Sequence, residues 1–222
     1  MRPSLQDFMK KIKNKTVFLI GGGPSAADVD FSLLKDEVVI CINDSIHDFP
    51  NATALFWLDD SWIGHNHDIV SRHSCQFRFT SKHSQHVSYI NNPDPTTSCN
   101  TFILKREGDF GYSPEYDCVM GNNSGVQVLN LVVNMKPKQV VLIGYDMTFK
   151  REPDGRRKTH YHNKPRRPFA RDVYSESFVP SMNALHKGMV EHGVKVPIIN
   201  AFEGSGVRCF EFGDYKDFLT VK

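Results

Sequence analysis

A chain of 222 residues, 40% hydrophobic and 23% charged, is long enough to bury one sizeable core and is balanced like a globular protein. Its net charge of +2, with a sequence pI near 8.2, is too small to demand a nucleic-acid partner, so the placement of charge matters more than its sum. Five scattered cysteines (Cys41, Cys75, Cys99, Cys118, Cys209), with no CxxC pair, argue against a disulfide framework or a cysteine zinc site and read as reduced thiols.

In chain order, Met1–Lys15 lacks the apolar stretch of a signal peptide, and no run approaches the roughly 18 apolar residues of a membrane span. A soluble, cytoplasmic protein is expected. The apolar run Thr16–Ile20 predicts a buried strand, and Gly21-Gly22-Gly23-Pro24-Ser25 leads from it into Ala26-Ala27-Asp28, which can open a helix. Glycines let a ligand approach the backbone, and the first N–H groups of a helix are unpaired at its positive end, so the loop reads as a phosphate site. Pro24 suits a first helical turn. A plain tight turn would use the same residues.

Further strands are predicted over Glu37–Ile42, Ala52–Leu58, Gln139–Ile143 and Lys195–Ile199, with helices over Ser124–Asn134 and Ser181–His192. The alternation is that of an α/β protein with a Rossmann-like, doubly wound, mostly parallel sheet, whose ligands bind at the carboxyl ends of the strands. The polar stretch Ile63–Cys118, with five histidines between His65 and His86, reads as an insertion. Lys150–Val173 gathers Arg151, Arg156, Arg157, Lys158, Lys164, Arg166, Arg167 and Arg171 among Pro and Gly and reads as a mobile basic lid. With no repeat and no linker, residues 1–222 read as one domain.

Several constellations could carry chemistry. Gly21-x-Gly23-x-x-Ala26 is a form of the dinucleotide fingerprint, for which Asp44 would hold a ribose; Asn43, beside it, could serve a sugar or base, or simply end the strand. Asp59-Asp60, after the third strand, could hold a divalent metal or ribose hydroxyls, or Asp59 could cap a helix. Gly121-Asn122-Asn123-Ser124-Gly125 offers a second anion or ribose site at a helix start. Gly144-Tyr145-Asp146-Met147 follows the strand Gln139–Ile143. His65, His67 and His73 could imitate a metal site but lack a clear fourth ligand.

Taken together, strand-GGGPS-helix, Asn43, Asn123-Ser124-Gly125-Val126 and Gly144-Tyr145-Asp146 resemble the bacterial family-42 sialyltransferases. They are also similar to the MptE-like group, which includes 6-hydroxymethylpterin diphosphokinases, flagellar sugar transferases and many phage-encoded proteins. The resemblance covers about Thr16 to Phe149. It implies that Gly21, Gly23, Pro24 and Ser25 cradle a nucleotide phosphate and that Asn43 reaches the sugar or transferred group. Asn123, Ser124 and Gly125 would bind the donor from the opposite side, and Gly144 and Asp146 would approach the nucleoside, Asp146 accepting from a ribose hydroxyl. The sialyltransferases place a Tyr shortly after this Asp where this chain has Thr148; Tyr145 or Tyr161 is a candidate substitute.

The resemblance also implies a catalytic histidine in the lid, where His160 and His162 are both eligible and His160 is preferred. Lid contacts to phosphate would come from Arg156, Arg157, Arg166 and Arg167, though the same charges suit a nucleic-acid backbone. The expected activity is transfer of a sugar from a CMP- or UDP-type donor to an unknown acceptor, with a modified nucleobase or DNA among the candidates. Diphosphate transfer from ATP to a hydroxymethyl group and a non-catalytic nucleotide- or nucleic-acid-binding module are the alternatives, and the need for a divalent metal stays open.

Overall fold

The computed structural model describes residues 4–72, 75–83, 101–151, 157–158, 160–162 and 172–220. Helix α1 (Leu5–Ile12) starts with a reciprocal cap, in which the Ser4 hydroxyl accepts from the Asp7 N–H and the Asp7 carboxylate accepts from the Ser4 N–H. Its buried residue Phe8 lies on the sheet, with ring centroids 4.9 Å from Phe77 and 4.6 Å from Phe79.

The sheet begins with β1 (Thr16–Ile20), β2 (Val38–Ile42) and β3 (Ala54–Trp57), followed by α2 (Asp60–Arg72), β4 (Phe77–His83), β5 (Thr101–Gly108) and β6 (Cys118–Met120). Then come α3 (Ser124–Asn134), β7 (Gln139–Ile143), a short antiparallel pair β8 (Lys150–Arg151) and β9 (Arg157–Lys158), α4 (Val179–Glu191), β10 (Ile198–Asn200) and β11 (Glu211–Phe212). Nine strands lie in the order β11-β10-β7-β1-β2-β3-β4-β5-β6, each pair parallel. The fold is the Rossmann-like, doubly wound α/β class. From β1 the chain moves to β2 and β3 on one side and later to β7 on the other, so the topological switch lies between β1 and β7.

The stretch Ile63–Cys118, read from sequence as an insertion, contributes to the same sheet through α2, β4 and β5. Its strands are less uniformly apolar than β1 or β7 because β5 buries one residue, Leu104, between partly exposed neighbours. The helix expected after the glycine loop is a five-residue 3-10 turn, Pro24–Asp28. Asp30 starts another such turn by accepting from the Ser32 N–H at 3.0 Å. The Asp30 side chain, by taking the Ser32 N–H and hydroxyl, starts a second turn where one helix would otherwise continue.

Alternate strand residues feed two cores. Val17, Leu19, Ile40 and Phe56 face α1, α3 and α4, while Phe18, Ile20, Leu55 and Trp57 face α2 and the 3-10 turns. Helix α3 is buried along most of its length and carries two fully buried amides. Asn130 Oδ1 accepts from the Ser113 and Met120 N–H groups at 3.0 and 3.1 Å, and Gln127 Nε2 donates to the Gly121 carbonyl at 2.7 Å. These bonds fix the start of α3 at the carboxyl edge of the sheet. Among the described residues no helix is long and apolar enough to cross a membrane.

Because Phe8 joins α1 to both Phe77 and Phe79, Phe8→Ala is expected to lower unfolding free energy by about 3–5 kcal/mol, read as a fall in the denaturant midpoint.

Candidate functional site

The carboxyl ends of β1, β2, β3 and β7 surround a cavity of about 350 Å³. It is lined by Gly21, Gly22 and Gly23 after β1, by Ile42 and Asn43 at the end of β2, and by Leu58 and Asp59 after β3. Asn122 to Gly125 line it at the start of α3, with Gly144, Tyr145 and Met147 after β7, His160, and the aromatic residues Tyr174 and Phe178. Pro24, Ser25, Asp146 and His162 do not line it. Arg156, Arg166 and Arg167 lie outside the described residues, as does His73, and of Arg157 only its backbone pairing in β9 is described.

The glycine loop works differently from the sequence expectation. A Cβ on Gly21 would stand 2.7 Å from the Gly144 carbonyl oxygen, and one on Gly23 only 2.6 Å from that oxygen and 2.1 Å from Asp146 Oδ1. Both positions are glycine because the two loops touch, whatever ligand lies above them. Their N–H groups are used within the protein, Gly21 donating to the Ile143 carbonyl and Gly23 to the Gly144 carbonyl, each at 2.8 Å. Gly144 closes the contact in a left-handed conformation, with φ +68°.

Asp146 is buried, and its carboxylate accepts from the Ser25 N–H at 2.9 Å and the Ser25 hydroxyl at 2.6 Å. The two groups expected to meet a ribose and a phosphate therefore meet each other across the loops. The helix-start donors come instead from α3. Asn123 caps it by accepting from the Val126 N–H at 3.1 Å, and helix geometry leaves the N–H groups of Ser124 and Gly125 without an intrahelical acceptor. Both residues line the cavity, at the positive end of an 11-residue α-helix.

Asn43 adopts a left-handed backbone, φ +53°, and its Oδ1 is buried without a hydrogen-bond partner among the described residues. Asp44, the acidic residue that a dinucleotide fingerprint would use, is buried and accepts from the Trp62 indole N–H at 2.9 Å, outside the cavity lining. Asp59 is exposed and lines the cavity; its main-chain carbonyl, not its carboxylate, starts α2 by accepting from the Trp62 and Ile63 N–H groups. Among the described residues no three His, Cys, Asp or Glu side chains converge as a metal site.

The two lid histidines separate. The ring of His160 lies over Gly22, whose missing Cβ would stand 2.8 Å from His160 Cδ2. Next to it, the Tyr161 N–H donates to the Gly22 carbonyl at 3.0 Å and the Tyr161 hydroxyl donates to Asp48 at 2.8 Å. His162 turns to the same carboxylate, its Nδ1 3.6 Å from Asp48 Oδ2. Burial raises the Tyr161 hydroxyl far above its ordinary range, reinforced by Asp48, and burial alone does the same to Tyr145, whose hydroxyl donates to the Gly125 carbonyl at 3.1 Å. Neither phenol points to a ligand in place of the absent Tyr at Thr148. The described cysteines are free, and none lines the cavity.

Sequence reasoning named Asn122 and Met147 only as members of their loops and missed Tyr174 and Phe178. The aromatic pair four residues apart just before Pro180 was a readable signal. Comparison with protein-family models, with curated proteins and with solved structures returns no match to this chain.

The glycine geometry makes a paired prediction. Gly23→Ala should lower stability by about 2 kcal/mol or more, since the added methyl meets a buried carboxylate and a carbonyl. Gly22→Ala should stay within about 1 kcal/mol of the parent, because the atom it meets belongs to a side chain of the lid. Urea unfolding of the two variants reads the difference.

Proposed function

We propose that the protein is a nucleotide-dependent transferase, a glycosyltransferase-like enzyme moving a sugar from a CMP- or UDP-type donor to an acceptor hydroxyl. The observation that carries this reading is that His160 and the open start of α3 line one cavity at the switch point of the sheet. A proton acceptor and an anion site then serve a single bound ligand. The resemblance of the GGGPS, Asn-Ser-Gly-Val and Gly-Tyr-Asp segments to sialyltransferase-like and MptE-like proteins supports the same class.

In the proposed reaction the acceptor oxygen attacks the anomeric carbon while His160 takes its proton. The bond from that carbon to the donor phosphate oxygen breaks, and the nucleotide leaves with the electron pair. The N–H groups of Ser124 and Gly125 and the positive end of α3 stabilise the departing anion. Asn43 Oδ1 accepts from a ligand hydroxyl or amino group, and Asp59 accepts from a sugar hydroxyl. Arg156, Arg157, Arg166 and Arg167 would contact the phosphates, or a nucleic-acid acceptor, by charge alone.

A second reading, ATP-dependent diphosphate transfer to a hydroxymethyl group, is favoured by the exposed carboxylate of Asp59 in the cavity. There it would share a divalent cation with phosphate oxygens. In that reaction the acceptor oxygen, giving its proton to His160, attacks the β-phosphorus; the bond from that phosphorus to the α-phosphate oxygen breaks, and AMP leaves with the electron pair.

A thermal-shift series with CMP, UMP, GMP, AMP and their diphosphates tests the shared premise. At least one nucleotide should raise the melting temperature by mass action, and a flat response to all of them removes both readings. Once a donor is found, His160→Ala should cut turnover about 100- to 10,000-fold with donor affinity kept, whereas His162→Ala, whose ring faces Asp48, should retain most activity. Equal losses in both variants would count against His160 as the base. Release of AMP that stops on chelation would select the second reading.

A further inference from the structure

Just before α4 the helix widens into a single π turn, Tyr174–Phe178, in which the Val179 N–H reaches back to the Tyr174 carbonyl. Pro180 has no N–H to return to the Glu176 carbonyl, so the backbone around it is free to take the wider turn. Tyr174 and Phe178 both line the cavity, their ring centroids 5.7 Å apart at 66°. The Tyr174 ring is backed by Phe149 at 4.8 Å, and it stays largely buried, 8% exposed. The Asn122 amide donates to the Ser177 carbonyl at 3.0 Å and the Ser177 hydroxyl at 2.8 Å, so the π turn is tied to the loop that caps α3.

We infer that Phe178, braced edge-on by the buried Tyr174 ring, forms a stacking platform for a nucleobase, set beside the anion-binding start of α3; the inference rests on the nucleotide reading above. A ligand made only of sugar and phosphate would leave the Phe178 ring and Met147 facing polar groups, whereas a planar heterocycle covers them. Met147 adds a polarizable thioether at a residue held at φ +42°, a conformation that a non-glycine side chain adopts only under local constraint. The rest of the lining joins Ile42, Leu58 and Tyr145 to asparagine amides, glycine backbone, His160 and Asp59, a mixture that suits a base with a polar edge and its ribose.

Isothermal titration of the full chain with CMP, UMP, GMP and AMP, each compared with ribose 5-phosphate, tests the platform. At least one nucleotide should bind about ten-fold or more tightly than ribose 5-phosphate, as loss of one base–aromatic stack implies. Phe178→Leu, which keeps an apolar side chain of similar bulk, and Phe178→Ala should both erase most of that preference while leaving ribose 5-phosphate affinity in place. Phe178→Tyr should retain it. Equal affinity for nucleotides and ribose 5-phosphate in the parent protein overturns the platform while the anion site stands, and so does a preference that survives in Phe178→Leu. Binding of neither ligand class overturns the nucleotide reading itself, and the platform with it.

Discussion

The contact between the loops that leave β1 and β7 is the constraint on which the rest of the site depends. These strands are neighbours at the switch point, so their loops must diverge to opposite sides of the sheet while starting from almost the same place. Here they touch before they part. Gly21 and Gly23 leave no room for a side chain against Gly144 and Asp146, and the Asp146 carboxylate holds Ser25 by its main-chain N–H and its hydroxyl. A buried carboxylate with two such donors is costly to disturb in either partner, because each loss leaves a polar group uncompensated. The cavity therefore has a base that is glycine-lined but chemically closed.

That pairing leaves the start of α3 as the longer helix end facing the cavity. The 3-10 turn Pro24–Asp28 offers five residues and an N–H already given to Asp146, and so short an element contributes little aligned dipole. Helix α3, in contrast, has 11 residues and a proper cap at Asn123, and both residues after that cap line the cavity. Burying Gln127 and Asn130 inside α3 would be unfavourable without partners, yet their amides are bonded to the loops at Gly121, Ser113 and Met120. The same bonds that compensate these amides hold the helix start in place. Rigidity of the anion site is thus a by-product of satisfying the core.

The strands were legible because β1, β2, β3 and β7 are short runs buried on both faces, and nothing but a parallel sheet buries such runs. Positions on the strand ends were legible too, since the fold sends every strand-end loop to one edge; Asn43, Asp59, Ser124 and His160 all reach the cavity from there. What could not be read was which groups on those loops would satisfy one another. The pairing of Asp146 with Ser25 spans 121 positions, and that of Trp62 with Asp44 spans 18; neither has a local pattern. The polar letters of Ile63–Cys118 hid β4 because it buries Arg78, Thr80 and Ser81 beside Phe77 and Phe79, and hid β5 because Leu104 is the one buried residue among its eight. The two aromatic residues of the π turn went unseen because a helix was predicted only from Ser181 onward, past the proline that shapes them.

Among the described residues, one carboxylate gathers the side chains of Tyr161 and His162. Asp48, at the end of the turn that follows β2, receives the Tyr161 hydroxyl and lies beside His162, while the Tyr161 main chain is bonded to Gly22. These contacts place the main chain of the preceding residue, His160, beside the glycine loop, while its ring keeps its own torsions. Burial, reinforced by the carboxylate, keeps the Tyr161 phenol in its protonated, donating form. The division of labour follows from geometry. His162 and Tyr161 are spent on attachment to the loop after β2, and only His160 is left over the glycine that faces the cavity. Through these contacts the chain holds the His160 imidazole over Gly22, in the lining that the start of α3 completes.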